Sequence, residues 1–92
     1  MYLDYVYNNR KFFPDAFTVQ LGVYEDREAC RLVLKKYKRI FLVRGFIFED
    51  EQYGESFFRL FLGHYREIRD AARLRSRVSA YFPNSIVVRL EF

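Results

Sequence analysis

The residue types that most often perform catalysis or bind metals are sparse in this 92-residue chain. His64 is its one histidine and Cys30 its one cysteine, and neither has a nucleophile, base or ligand at a recognisable spacing. A lone cysteine forms no intramolecular disulfide and no thiolate metal cluster. The acidic run Glu49–Glu51 belongs to a predicted hairpin and is more typical of a solvated turn than of a metal or acid/base site. We therefore predict that the protein is not an enzyme and holds no metal or cofactor.

Four side chains on two alternating segments are better suited to binding than to catalysis. Gln20 lies on the first segment, and Phe57, Arg59 and Phe61 lie on the second. Aromatic rings stack on sugar rings or bases, while glutamine and arginine supply fixed hydrogen-bond donors. The four residues form one binding surface only if the fold brings the two segments together.

The segments that carry these side chains repeat one design. Residues 17–29, FTVQLGVYEDREA, and residues 58–71, FRLFLGHYREIRDA, both alternate, reach a glycine, pass a tyrosine and turn helical. When the two glycines are aligned, the strand residues match directly, whereas matching Ala29 with Ala71 requires one extra residue. We interpret the pattern as one strand–turn–helix unit used twice.

Periodicity predicts six elements along the chain. Alternation with a period of two predicts strands, and apolar residues at helical spacing predict helices. Asp26 is placed to cap the first helix, and Pro83-Asn84 ends the second. The predicted strands span 17–23, 40–50 (with residue 42 as an alternative start), 56–62 and 85–92, and the predicted helices span 26–38 and 67–81.

Each helix has an apolar stripe that predicts its buried side, and basic residues form most of the solvated side of the first helix. The residues predicted to face inward are Ala29, Leu32, Val33 and Tyr37 in the first helix, and Ile68, Ala71, Ala72, Leu74 and Val78 in the second.

This order predicts an α+β, ferredoxin-like β-α-β-β-α-β fold with one four-stranded antiparallel sheet. Crossover connections are right-handed, so both helices should lie on the same face of the sheet, with the first and third strands central. The opposite face, called the open face below, is then exposed. The residues predicted to face the helices are Phe17, Val19, Leu21, Phe58, Leu60 and Leu62, and simple alternation points Val23 the same way as Leu21. The residues predicted on the open face are Thr18, Gln20, Phe57, Arg59 and Phe61.

Residues 1–16 form an aromatic and polar lead-in or linker with two turn signals, and the domain follows at 17–92. The tyrosines of the lead-in are too apolar for a simple disordered linker. They could pack on the domain or on a preceding part of a longer protein. The lead-in or a partner could also cover Phe57 and Phe61, and the sequence leaves these alternatives open.

Charge and hydropathy exclude few functions. The formal net charge of +4 is mildly basic and indicates a polyanion partner only weakly. No apolar run approaches the roughly 20 residues of a membrane-spanning helix, so we predict no span in this chain. The start of the chain lacks the regions of a signal peptide. We expect a monomer, because the repeat buries both helical stripes internally.

The two glycine-centred segments resemble the signatures of the SPOR domain, the sporulation-related repeat of bacterial proteins. The first signature, V-Q-hydrophobic-G-x-aromatic, is matched by residues 19–24, with Ala29 as the helix alanine. The second, aromatic-R-V-x-hydrophobic-G-x-aromatic, is matched by residues 58–65, with Ala71 in the helix. The resemblance covers about residues 17–90, and both signatures occur in order.

This resemblance implies a peptidoglycan-binding module that recognises glycan strands stripped of their stem peptides, as found at division septa. It also implies a bacterial periplasmic or cell-envelope location, with other envelope proteins as further partners. The aromatic position before the arginine, often tryptophan in the family, is Phe57. The positions after the two glycines, often serine and proline, are Val23 and His64. The residues predicted on this basis to bind glycan are Gln20, Val23, Phe57, Arg59, Phe61, Val87 and Arg89.

Two rival functions remain open at this point. Residues 44–48, RGFIF, are similar to an aromatic motif of RNA-binding RRM domains, which share the topology. That motif belongs on the third strand, whereas here it follows the first helix directly, and Ile47 stands where a small residue is normal. The other rival is a protein–protein interaction domain of the same fold.

Overall fold

The computed structural model describes residues 5–7 and 16–90. These residues form five strands and two helices in one sheet-and-helix domain. The elements are β1 (Tyr5–Tyr7), β2 (Ala16–Tyr24), α1 (Arg27–Phe41), β3 (Gly45–Gln52), β4 (Glu55–Tyr65), α2 (Ile68–Val78) and β5 (Ile86–Leu90).

The strands lie in the order β1-β3-β4-β2-β5. From β2 onward the neighbouring strands are antiparallel, which confirms the predicted ferredoxin-like β-α-β-β-α-β fold with β2 and β4 central. A fifth strand, β1, adds to this sheet by pairing in parallel with the outer edge of β3. It lies within the predicted lead-in, and the rest of that lead-in up to residue 15 is outside the described residues, as are 91 and 92.

Helix α1 begins as predicted but ends later. The Asp26 carboxylate accepts a hydrogen bond from the backbone N–H of Glu28 at 3.0 Å, which caps the first turn. The helix then continues through Phe41 to a cap at Leu42. Of the two predicted starts of the second strand, residue 40 would place Phe41 in that strand, whereas the start at residue 42 agrees with the end of the helix. Phe41 is helical because this conformation packs its buried ring against Tyr81, with ring centroids 5.8 Å apart.

The buried side of α1 differs from the prediction. Cys30 and Leu34 are buried in the core, whereas Leu32, predicted inward, is exposed. Cys30 therefore corresponds to Ala71, which is also fully buried, and the two repeats keep one constant separation from strand into helix. The extra residue inferred from matching Ala29 with Ala71 is wrong, because the apolar surface of the whole helix decides which side faces the sheet.

Helix α2 is closer to its prediction. Ala71, Leu74 and Val78 are buried against the sheet as expected. Ile68 and Ala72 were predicted inward and are exposed. Ile68 is the first residue of the helix, and Ala72 lies one position beyond the buried row.

A β-bulge near the end of β2 changes the side of the sheet to which the following side chains point. Between Gln20 and Gly22, β2 contains one residue more than β4, so Val23 pairs with Arg59. Val23 is accordingly exposed on the open face, although simple alternation predicts that it shares a face with Leu21. The bulge thus corrects the predicted orientation of Val23 and adds it to the open face.

A second irregularity lies at Gly63, where β4 has the extra residue. Gly63 has a φ of 83°, and a Cβ there would come within 2.7 Å of the Leu74 side chain, so glycine is required. Thr18 lies fully buried opposite this bulge. Its hydroxyl is within hydrogen-bonding distance of the carbonyl oxygens of Gly63 (2.6 Å) and Leu62 (3.0 Å). The prediction that Thr18 is exposed is therefore wrong.

The core between the sheet and the helices otherwise follows the predicted alternation. Phe17 departs from it, since its ring is only half-buried at the edge of the core. The predicted helix-facing residues that are buried in the core are Val19, Leu21, Phe58, Leu60 and Leu62.

Candidate ligand-binding face

The open face brings together five of the residues that the sequence predicts as a site. On the central strands, Val23 lies opposite Arg59, and Gln20 lies opposite Phe61. Phe57 lies two residues before Arg59 on β4 and so shares its face. Because directly opposed residues in a sheet point to the same side, these side chains form one continuous surface across β2 and β4.

Arg59 lies in the middle of this surface and is held by two neighbouring strands. Its Nη1 donates to Oε1 of Gln20 at 3.5 Å, and its Nη2 lies 3.3 Å from Oδ2 of Asp50 on β3. The side chains of Arg59 and Asp50 are 35% and 36% exposed, so both remain accessible to a ligand. The two partners orient the planar guanidinium while leaving donor capacity free for recognition.

Asp50 is the residue of this site that the sequence interpretation missed. It was predicted as the last residue of the second strand, and its carboxylate was interpreted as part of a solvated turn. In the structure β3 continues past it, and it lies opposite Phe57. The turn itself is confined to Tyr53 and Gly54, which both have positive φ, as a two-residue hairpin requires. A two-residue turn at Tyr53-Gly54 pairs Gln52 with Glu55, and the pairing then continues evenly until Asp50 lies opposite Phe57. A prediction of this short turn from the sequence would therefore have identified Asp50 as a neighbour of the site.

The two candidate aromatic residues differ in accessibility. Phe57 is half-buried, whereas Phe61 is only 4% exposed, so its predicted exposure is wrong. The Phe61 ring stacks on Phe46, itself 1% exposed, with ring centroids 5.1 Å apart. Together with Leu90 they form a second apolar cluster, against which Phe48 packs. Phe61 therefore belongs to a buried apolar cluster on this side of the sheet and presents no accessible ring to a ligand. The alternative in which the lead-in covers it concerns residues that lie mostly outside the described ones.

Val87 and Arg89 were predicted to continue the open face, and this placement is wrong. Val87 packs against the core under the helices. Arg89 pairs with Phe17, and its guanidinium carbon lies 5.9 Å from the centre of the Phe17 ring. The residue that β5 contributes to the open face beside Gln20 is Ile86, which is exposed. A shift of one residue in strand register exchanges the two faces of the whole strand.

The single cysteine is buried in the core, and the single histidine lies near the end of β4. Burial raises the pKa of the Cys30 thiol to about 11, so the side chain is a protonated part of the core. Burial, and next the nearby Arg44 cation, lower the pKa of His64, so its imidazole is neutral at pH 7. Within residues 16–90, no three side chains of histidine, cysteine, aspartate or glutamate gather as metal ligands would. Neither described helix is long and apolar enough to cross a membrane.

The fold and this surface define a small α+β domain with an exposed, polar and aromatic sheet face. The model of the SPOR domain family matches residues 14–89, and the chain belongs to that family, which confirms the resemblance found in the two signatures. Significant matches are lacking among curated protein sequences.

A solved structure with the same fold is the solution structure of the peptidoglycan-binding domain of the B. subtilis cell wall lytic enzyme CwlC. The two structures align with a TM-score of 0.65 over 85% of this chain and 92% of that one. Their sequences are 15% identical, so the likeness concerns the fold.

Proposed function

We propose that this domain is a non-catalytic module that binds peptidoglycan through the open face of its sheet. Membership in the SPOR family and the fold shared with a peptidoglycan-binding domain support the proposal. The observation that carries it is the position of Arg59, whose guanidinium is held between Gln20 and Asp50 in the middle of an accessible face.

The chemistry of the face fits a glycan strand. Such a strand is an extended ribbon with hydroxyl and acetamido groups at its edges and apolar patches on its sugar rings. Arg59 would donate to ring substituents, and the amide of Gln20 would both donate and accept. Phe57 would pack against an apolar sugar face, with Val23 extending the contact on β2. A flat sheet surface suits this ribbon better than a deep pocket.

We further propose that the preferred ligand is glycan stripped of its stem peptides. A peptide projecting from the ribbon would interfere with close contact between the sugars and a flat protein surface. Denuded strands occur at division septa, so the family resemblance supports a location in the cell envelope at such sites. The charge of Arg59 is already balanced by Asp50, which suits an uncharged sugar ligand better than a polyanion.

The RNA-binding alternative loses its main support in the fold. Residues 45–48 of the RGFIF segment lie on β3, and the ring of Phe46 is buried in the second apolar cluster. A buried ring presents no face on which a base could stack.

Cosedimentation with purified sacculi, before and after amidase removes the stem peptides, tests the proposal. Binding should rise after amidase treatment and should be weakened about tenfold to a hundredfold in Arg59→Ala. Arg66→Ala, which removes an exposed arginine outside the site, should bind as wild type does. Equal binding before and after treatment would refute the preference for denuded strands. Binding to a protein or to RNA, with none to either form of sacculus, would refute the proposal as a whole.

A further inference from the structure

The outward side of α1 combines basic and apolar residues in an arrangement that the glycan proposal does not use. Lys35, Lys36 and Arg39 are exposed there beside Leu32 and Ile40, whose exposures are 65% and 47%. The spacing of four of these residues, i, i+3, i+4 and i+7 from Leu32, places them on one side of the helix. We call these five residues the α1 surface.

The charge of this surface has one sign. Between Ala29 and Phe48 the chain contains no aspartate or glutamate. The nearest acidic residue of the helix, Glu28, lies one turn earlier and pairs with Arg31 at 3.4 Å. The cations of the α1 surface are therefore uncompensated by acidic residues of their own helix. The basic residues in this part of the chain are Arg31, Lys35, Lys36, Lys38, Arg39 and Arg44.

The end of α1 adds an apolar residue in an unfavourable conformation. Leu42 caps the helix with a φ of 54° and is 87% exposed. Glycine or asparagine usually occupies such a left-handed cap, because a Cβ is disfavoured there. Neither packing within the domain nor backbone geometry favours leucine at this position. A contact of Leu42 with a partner outside the domain would explain its presence.

The contour of the α1 surface also leaves room for small polar groups. Two shallow hollows, of about 680 and about 380 Å³, are both lined by Leu32, Lys35 and Arg39. The larger one also includes Glu28, which is paired with Arg31. Each hollow thus combines cations with aliphatic carbon. That combination matches the boundary between phosphate head groups and acyl chains.

We propose that the α1 surface docks the domain on an anionic phospholipid membrane. The basic side chains would attract anionic head groups, while Leu32, Ile40 and Leu42 would enter the head-group boundary. A soluble polyanion would satisfy the cations but leave the apolar residues in water, so a lipid surface explains more of what is exposed. Since the helices cover the sheet face opposite the open face, docking would turn the open face away from the membrane and leave it available for its own ligand.

Vesicle cosedimentation tests the charged component. The domain should bind phosphatidylcholine vesicles that contain one-third phosphatidylglycerol and should not bind vesicles of pure phosphatidylcholine. The bound domain should dissociate from the anionic vesicles as the salt concentration is raised. The triple variant K35Q/K36Q/R39Q should lose affinity on the order of 100-fold, from the contribution of each basic residue near an anionic membrane. The matched control R66Q/R69Q/R73Q removes the same charge near α2 and should change binding little. An equal loss in both variants would overturn the proposal, because net charge alone would explain the binding.

A second variant tests the apolar component and identifies the partner. L32Q/I40Q should weaken binding to anionic vesicles by about tenfold, as expected from apolar burial at the interface. Its binding to soluble polyphosphate should equal that of wild type. If vesicle binding is also unchanged, the surface recognises a phosphate polyanion rather than a membrane and the proposal fails. Every α1 variant should retain wild-type circular dichroism and binding to sacculi, which separates this test from that of the open face.

Discussion

The Arg59 guanidinium and the Asp50 carboxylate, 3.3 Å apart, form a diagonal ion pair between β4 and β3 on the open face. The pair is too exposed to contribute much to folding, since such pairs are worth about 0.2–1 kcal/mol. Its effect is to hold the guanidinium over the centre of the face. Asp50 is therefore a positioning residue for the proposed glycan site.

Replacing Asp50 should separate orientation from stability. We expect Asp50→Asn to lower the affinity for denuded glycan severalfold while the denaturation midpoint changes little, because the ion pair is partly screened by solvent. Glu51→Gln is the matched control, since Glu51 is exposed and occurs at the next position of β3. Isothermal titration with denuded glycan fragments measures the effect. Equal affinities for the two variants would show that Asp50 does not position Arg59.

Arg59 and Gln20 should differ in their contributions to binding. Removing a hydrogen bond from a charged donor costs roughly 1.5–3 kcal/mol, so Arg59→Ala should weaken binding by about tenfold to a hundredfold. Gln20→Ala removes a neutral group and should weaken it less. Both variants should remain folded, because each side chain is only partly buried. If both bind denuded glycan as wild type does, the open face is not the site.

The two phenylalanines of β4 should separate binding from stability. Phe61→Ala should reduce the free energy of unfolding by about 3–5 kcal/mol, because it leaves a cavity beside Phe46 in the second apolar cluster. Phe57→Ala should cost less stability and should reduce glycan binding. Urea denaturation and sacculus cosedimentation measure the two effects. The assignment fails if the half-buried Phe57 proves the more important residue for stability.

The equivalent glycines of the two repeats should respond differently to alanine. Gly63→Ala places a Cβ within 2.7 Å of the Leu74 side chain at a backbone φ of 83°. We therefore expect the free energy of unfolding to fall by about 1–3 kcal/mol. Gly22→Ala meets only ordinary contacts, the nearest being a Tyr24 ring atom at 3.5 Å, and should change stability little. Chemical denaturation of the two variants provides the comparison. Similar losses in both would contradict the structural difference between the repeats.

The single histidine makes stability depend on pH in a predictable direction. Burial, and next the Arg44 cation, lower the folded-state pKa of His64 below its ordinary value of 6.5. The unfolded state therefore binds the proton more readily, so stability is full above about pH 6.5 and falls as the pH drops below it. Thermal unfolding should show a smaller decrease between about pH 7.5 and 5.5 in His64→Gln than in wild type. An equal decrease in both would assign the pH dependence to other groups.

Several features of the protein follow from local patterns in the sequence. Alternation along β2 and β4 places Gln20 and Arg59 on the same face, and right-handed crossovers place both helices on the other. The cap of α1 depends on the Asp26 carboxylate, which accepts a hydrogen bond from the backbone N–H of Glu28, two residues later in the chain. Such features are predictable because neighbouring residues and chain connectivity determine them.

Other features depend on contacts between distant segments. The bulge beside Gly22 turns Val23 outward, and the register of β5 places Arg89 on the helix side rather than the open face. The burial of Phe61 depends on Phe46 and Leu90, which belong to two other strands. The sequence by itself determined the topology of the four antiparallel strands and two helices, and the placement of Gln20 and Arg59 on one sheet face. The tertiary structure decided the local register. One inserted residue moves every later side chain of a strand to the opposite face of the sheet. Because packing against the neighbouring strand selects the position of that insertion, alternation within one strand does not reveal it.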